Sequence, residues 1–154
     1  MILVLGSMSS SALDAPYDYA VACLEAAGGD IGALPVPLQT LLLVESAQGI
    51  IDNGGLAYFY ESDFPHNPPY SDFAEAYRRI GAESAALCIE ASSLMFPFED
   101  PHFFEPLREL WLERLQADQT QEFARLNAQV CGDTTVWEKL AAYVQSNRAA
   151  FEAK

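Results

Sequence analysis

Apolar residues along this chain recur with helical spacing over most of its length. Leu41, Leu42, Val44, Ala47, Ile50 and Ile51 place apolar side chains nearly all round a helix over 38–52, the pattern of a helix enclosed by protein. Phe73, Ala76, Tyr77 and Ile80 fall on one face of a helix over 71–79. Further helices are predicted over 16–27, 82–96, 104–116, 118–130 and 135–151. The last carries a stripe of Val136, Leu140, Tyr143, Val144 and Phe151, and Thr135 with Glu138 has capping-box spacing at its start. A strand is suggested only at 2–5. The expected fold class is all-α: a single compact domain of seven or eight short helices over 15–154, after a flexible N-terminal segment over 1–14.

The stretch GIIDNGGLAYFY, residues 49–60, interrupts this pattern. Each glycine inside a helix costs about 1 kcal/mol relative to alanine. Asn53, Gly54 and Gly55 therefore read as a helix end, where asparagine and glycine accept the left-handed conformation. Leu56, Phe59 and Tyr60 then return to the core at i, i+3, i+4, with the hydroxyls of Tyr58 and Tyr60 expected at a wet rim. Three prolines and His66 make 63–69 a loop, and Gly81 ends the helix that follows.

A chain of 154 residues with 51% hydrophobic content is long enough for one self-sufficient core. Cys23, Cys88 and Cys131 are an odd set without CxxC spacing, as expected of reduced thiols in a cytoplasmic protein. No Lys or Arg precedes the short apolar run MILVLGSM, so a secretory leader is not expected, and no stretch is long enough to span a bilayer.

Charge changes the picture most. The chain has 22 acidic and 8 basic residues, a net of −14. Residues 1–77 contain ten acids and no Lys or Arg; the remainder holds twelve acids and all eight bases, a net of −4. Ten uncompensated carboxylates must largely face water and set up a negative field. Direct nucleic-acid binding and anionic membranes are disfavoured, because both need cationic side chains. A domain of this length has a radius of gyration of about 15 Å, hence a diameter near ~38 Å, over which duplex DNA would carry roughly 22 charges. A net of −14 is about two-thirds of that density.

Candidate chemistry is sparse. His66 and His102 lack helical ligand spacing, and a metal site would need them joined with acids such as Asp63, Glu99 or Asp100. Both histidines are expected in solvent. Cys88 lies among apolar neighbours in a negative field, the opposite of what a nucleophilic thiolate requires. Ser92-Ser93 lacks the GxSxG turn, and no phosphate-binding glycine loop is present. No catalytic residue, metal or cofactor is expected.

Asn53-Gly54-Gly55, the aromatics Tyr58, Phe59 and Tyr60, and Ile80-Gly81-Ala82 about 25 residues on form an ordered pattern. With FAEAYRRIGAESAALCIEASSLMF, it resembles the acidic DNA-mimic-protein-like family, a bacterial family first described as a domain of unknown function. The resemblance covers residues 38–115. The chain departs from the family's habit at Leu56, Tyr58 and Ser62, where Phe, Gln and Asn are usual. The resemblance implies a non-enzymatic all-α protein, with homodimer formation left open, whose carboxylates imitate DNA phosphates and occupy the DNA site of a basic DNA-binding protein. An immunity-type inhibitor of a basic toxin nuclease and a small hydrolase or metal-dependent enzyme stay open. The acids expected to meet the partner are Asp52, Glu61, Asp63, Asp72 and Glu75, while Asn53, Gly54, Gly55, Ile80 and Gly81 are expected to serve structure. Glu109, Glu113 and Glu122 lie among Arg108, Arg114 and Arg125 and are expected to pair with them.

Overall fold

The computed structural model describes residues 11–153. The strand suggested at 2–5, and 1–10 of the segment expected to be flexible, lie outside them. The described residues form an all-α domain of seven α-helices and three short 3-10 turns: α1 (Ser11–Ala26), α2 (Val36–Glu61), α3 (Tyr70–Arg79), α4 (Glu83–Ser93), α5 (Glu105–Gln116), α6 (Glu122–Val130) and α7 (Thr134–Ser146). Helix α1 begins a turn before the Pro16 start expected from sequence. Leu13 is the reason: at 1% exposure it is a core residue, and only a helical turn upstream of Pro16 brings it inward.

Helix α2 is the axis of the domain. From Thr40 to Gly49 every residue is buried, and α1, α3, α5 and α7 all pack on it. Its ladder breaks once, at Gly55, where φ is 75° and ψ −173°. Leu56 N–H, released from the helix, donates to Asn127 Oδ1 of α6 at 2.7 Å. A Cβ on Gly55 would lie 2.6 Å from that same oxygen. The glycine thus supplies both the positive φ and the clearance for a neighbour.

Beyond the break, Phe59 and Tyr60 enter an aromatic cluster. Phe59 packs edge-on against Phe73 at 5.2 Å, and Tyr60 against Tyr70 at 4.9 Å and Phe96 at 5.1 Å. Edge-to-face pairs of this kind are favoured by the ring quadrupoles. Tyr60 is fully buried, not at a rim. Its hydroxyl meets Ser92 Oγ at 2.5 Å and donates to Ile89 O at 3.1 Å. Tyr58 does stay exposed.

Gly81 shows the simpler use of glycine. At φ 83°, with open space where a Cβ would stand, it closes α3 in a Schellman turn: Gly81 N–H donates to Arg78 O and Ala82 N–H to Tyr77 O, both at 2.9 Å. Other boundaries also differ from those the sequence suggests, the last helix ending at Ser146 and not at 151. Helix α4 stops at Ser93, where the Ser92 and Ser93 hydroxyls bond back to carbonyls of the last turn. Helix α6 starts at Glu122, because Asp118 holds Thr120 N–H in an Asx turn. The cap of α7 is Asp133, which accepts from Thr135 N–H at 3.0 Å, so the Thr135–Glu138 box does not form.

Gly55→Ala should therefore cost more than Gly81→Ala. The second carries only the left-handed penalty of about 1–2 kcal/mol. The first adds a collision with Asn127 and the loss of its bond to Leu56. Urea denaturation of the two variants measures the difference, and equal losses would mean that the α6 contact does not matter.

Candidate functional site

Arg108 of α5 is buried to 1% exposure, the largest fully buried side chain of the domain. Its Nε donates to Tyr60 O at 2.6 Å and its Nη1 to Pro101 O and His102 O at 3.0 and 3.2 Å. Nη2 reaches outward to Asp63 Oδ1 at 3.0 Å. A buried guanidinium is tolerable because its donors are met by carbonyls and one carboxylate. The knot ties the end of α2 to the 3-10 turn Pro101–Phe103 and to α5. Asn67 adds a further tie, donating to His102 O at 2.7 Å.

His102 is buried against Tyr70 and Phe103, contrary to the solvated position expected of it. Burial lowers its pKa, opposed by Asp100 and assisted by Arg108, so the ring is neutral at neutral pH. His66 is exposed, its Nε2 3.1 Å from Gly28 O. Among the described residues no group of three His, Cys, Asp or Glu side chains is placed to hold a metal ion. Cys88 bonds to Gln129 Oε1 at 3.3 Å, and burial raises its pKa.

Next to the knot runs a groove of about 380 Å³ between the start of α3, the end of α4 and the segment 96–102. Tyr70, Phe96, Phe98 and His102 form its aromatic wall, and Glu99 and Asp100 line it as well. Asp63, Asp72 and Asp100 stand around this region: Asp72 and Asp100 act electrostatically on His102, and Asp63 acts on Tyr70. Asp100, which lines the groove, holds φ at 51°, and Asn67, bonded to His102 O, holds φ at 48°, both in the left-handed region. Leu94, which lines the groove, is exposed, as are Phe103, Phe104, Leu107 and Leu110 further along the chain.

The five acids expected to meet a partner separate into three kinds. Glu61, Asp72 and Glu75 are exposed without an ion pair, Asp72 and Glu75 one turn apart on α3. Asp63 is 59% exposed but bonded to Arg108. Asp52 is half-buried and spent internally: Oδ1 accepts from Gln48 Nε2 at 2.7 Å and Gly132 N–H at 2.8 Å, and Oδ2 from Trp137 Nε1 at 2.8 Å. It clamps α2 to α7. Of the three acids expected to pair with arginines, only Glu122 does, with Arg125 at 2.6 Å. Arg114 lies over the Trp111 ring at 4.6 Å and Arg108 has turned inward, so Glu109 and Glu113 have no arginine partner. Glu99 and Asp100 of the groove carry no signal in the sequence beyond their charge.

Glu45 is the most deeply buried acid of the first half. It is 3% exposed, and its Oε2 has no hydrogen-bond partner. Burial, with Asp14 and Asp18 of α1 nearby, raises its pKa to about 8. The remaining acids at 14–77, namely Asp14, Asp18, Glu25, Asp30, Glu61, Asp63, Asp72 and Glu75, are exposed.

A family model described as DMP19-like protein matches residues 32–147. The chain belongs to the DMP19-like protein family. This DNA-mimic family is the one that the Asn53-Gly54-Gly55 and Ile80-Gly81-Ala82 pattern resembles, and it is not a known enzyme family. The DMP19-like region runs from the turn before α2 to the end of α7 and leaves α1 outside. No curated protein and no solved structure matches the chain. Among its described residues no helix is long and apolar enough to cross a membrane.

Arg108→Met should destabilise by roughly 2–4 kcal/mol, because it leaves the carbonyls of Tyr60, Pro101 and His102 without their donor. Asp63→Asn, altering the exposed end of the same knot, should cost about 1 kcal/mol or less. Thermal or urea melts of both variants rank them, and the reverse order would show that the knot is not held by its carbonyls.

Glu45 makes stability depend on pH in a set direction. Below the ordinary carboxylate range both folded and unfolded chains keep it protonated, and it costs nothing. Between that range and about 8 the unfolded chain releases the proton and the folded chain retains it, so stability falls as pH rises. Glu45→Gln should flatten this slope and gain on the order of 2–4 kcal/mol over wild type at pH 8.5, with little gain at pH 4.5. Parallel pH profiles for the two proteins would rule out a buried neutral carboxyl.

Proposed function

We propose that this DMP19-like protein is a non-enzymatic acidic interaction protein that occupies the DNA-binding surface of a basic cytoplasmic protein. One observation carries the reading. Eight carboxylates at 14–77 are exposed, and only Asp63 of them has an ion pair among the described residues. Residues 1–77 have no Lys or Arg of their own, which leaves their exposed acids, apart from Asp63, open to an external countercharge. A basic surface made to grip phosphates presents such cations.

The groove beside Arg108 adds shape to charge. Its aromatic wall suits the aliphatic stem or the flat guanidinium of an arginine, and Glu99, Asp100 and Asp72 can receive the charged head. Attraction between exposed charges is screened beyond about 8–10 Å at physiological salt. Complex formation should thus weaken with salt, chiefly through slower association.

Capture from native lysate at low and high salt, read by mass spectrometry, identifies the partner. The triple variant Glu61→Lys, Asp72→Lys, Glu75→Lys should bind it at least tenfold more weakly with a melting temperature near that of wild type. Glu122→Lys, Glu138→Lys, Glu152→Lys makes the same change in net charge on the α6–α7 side and should bind as wild type. Equal losses in the two sets would defeat the surface assignment, and a gel shift of duplex DNA by the protein itself at micromolar concentration would defeat the mimic. A basic toxin nuclease recovered in place of a DNA-binding protein would replace mimicry with immunity-type inhibition.

A further inference from the structure

Helix α5 is built inside out. Its two buried side chains are Arg108 and Leu112, and the guanidinium takes an inward place that an amphipathic helix ordinarily gives to an apolar residue. Leu107 and Leu110 face outward instead, 40% and 46% exposed. With the half-buried Trp111 they share one stripe of α5, at i, i+3 and i+4, and the exposed Phe104 stands at its N-cap. From Phe104 to Trp111 the stripe runs about 10 Å, two helical turns. Of the eight large hydrophobic residues that are exposed in the described structure, Phe103, Phe104, Leu107 and Leu110 fall within eight consecutive positions. Exposed apolar residues scattered singly are ordinary, whereas a cluster rimmed by polar groups marks a contact surface.

The charge beside the stripe selects what lies on it. Glu113 follows Leu110 by three residues, and Glu109 stands one turn before Glu113; both are exposed. Neither has an ion pair among the described residues, and like charges four residues apart on a helix repel each other. The nearby Arg114 is occupied with the Trp111 ring, 4.6 Å from its centroid. A cation from another molecule would relieve both acids. A second copy of the chain would not, because a two-fold contact sets the same patch against itself. Glu109 and Glu113 would then approach the identical acids of the other copy, on molecules that each carry a net charge of −14.

We infer that the outer face of α5 binds an amphipathic basic helix of a partner protein, whose apolar side meets Phe104, Leu107, Leu110 and Trp111 and whose Lys or Arg side chains meet Glu109 and Glu113. Helices of that kind anchor through apolar residues at the same i, i+3, i+4 spacing. The surface uses none of Glu61, Asp72 and Glu75, and the inference holds whether or not the chain imitates DNA.

The probe is a synthetic helical peptide of Leu and Lys with its leucines on one face, titrated with the full chain by fluorescence anisotropy. It should bind about tenfold more tightly than a peptide of the same residues shuffled off a common face, and than one with the same leucine face flanked by Glu. Leu107→Ser with Leu110→Ser should weaken it about tenfold while melting near wild type, because both side chains are exposed. Glu109→Gln with Glu113→Gln should weaken it several-fold and lessen its sensitivity to salt. Glu122→Gln with Glu138→Gln removes the same charge from α6 and α7 and should bind it as wild type. Equal binding of the shuffled peptide, full binding by the Leu107–Leu110 variant, or equal losses in the two glutamate pairs would each overturn the inference. So would sedimentation of the wild type as a dimer that the Leu107–Leu110 variant turns into monomers, since the stripe would then belong to a second copy.

Discussion

The bond from Leu56 N–H to Asn127 Oδ1 is the contact on which the arrangement of the rest turns. An unbroken α2 would carry its last turn straight on, away from α6. The reversal at Gly55 redirects that turn, and the amide freed by the reversal is not left unsatisfied because α6 offers a side-chain acceptor. The redirected turn sends Phe59 and Tyr60 into the aromatic cluster. It also places Tyr60 O where Arg108 can reach it. Core packing and the Arg108 knot are thus both downstream of one backbone break.

The knot in turn decides how the acidic face is held. Burying a guanidinium among carbonyls fixes the 3-10 turn Pro101–Phe103, and with it Glu99 and Asp100 on one side of the groove. Asp63 on the other side is oriented by the same cation. A face meant to be negative is therefore organised by a positive charge hidden beneath it. Asp52 shows the converse. It is an acid drawn inward to satisfy an indole, an amide and a backbone N–H.

Much of this architecture was legible from spacing. The enclosed α2, its break at Asn53-Gly54-Gly55 and the stop at Gly81 all announce themselves through local backbone preference, which is a property of few neighbouring residues. What sequence could not show depends on contacts distant along the chain. Nothing in PLRELWLERL distinguishes Arg108, which is buried, from Arg114, which covers Trp111. Tyr60 and Tyr58 sit two apart in one aromatic run, yet one is fully enclosed and the other is 47% exposed. The acids posed the same difficulty. Glu61, Asp72 and Glu75 lie on surfaces that helical phase foretells, whereas Asp52 and Glu45 were taken in by partners or packing that only the fold brings near.

Of the exposed carboxylates behind the proposed function, Asp63 is tied to Arg108 and Asp30 caps the turn before α2, while Glu61, Asp72 and Glu75 hold no ion pair among the described residues. The core closes through aromatic rings, one buried arginine and a few internal hydrogen bonds, and almost none of these involves Glu61, Asp72, Glu75, Glu99 or Asp100. Surface substitutions away from structural contacts usually change stability by under about 0.5 kcal/mol. The charge pattern can drift over generations without endangering the scaffold beneath it. Under the proposed function, such a molecule can keep its shape while exchanging one client for another, with selection acting on the arrangement of its acids.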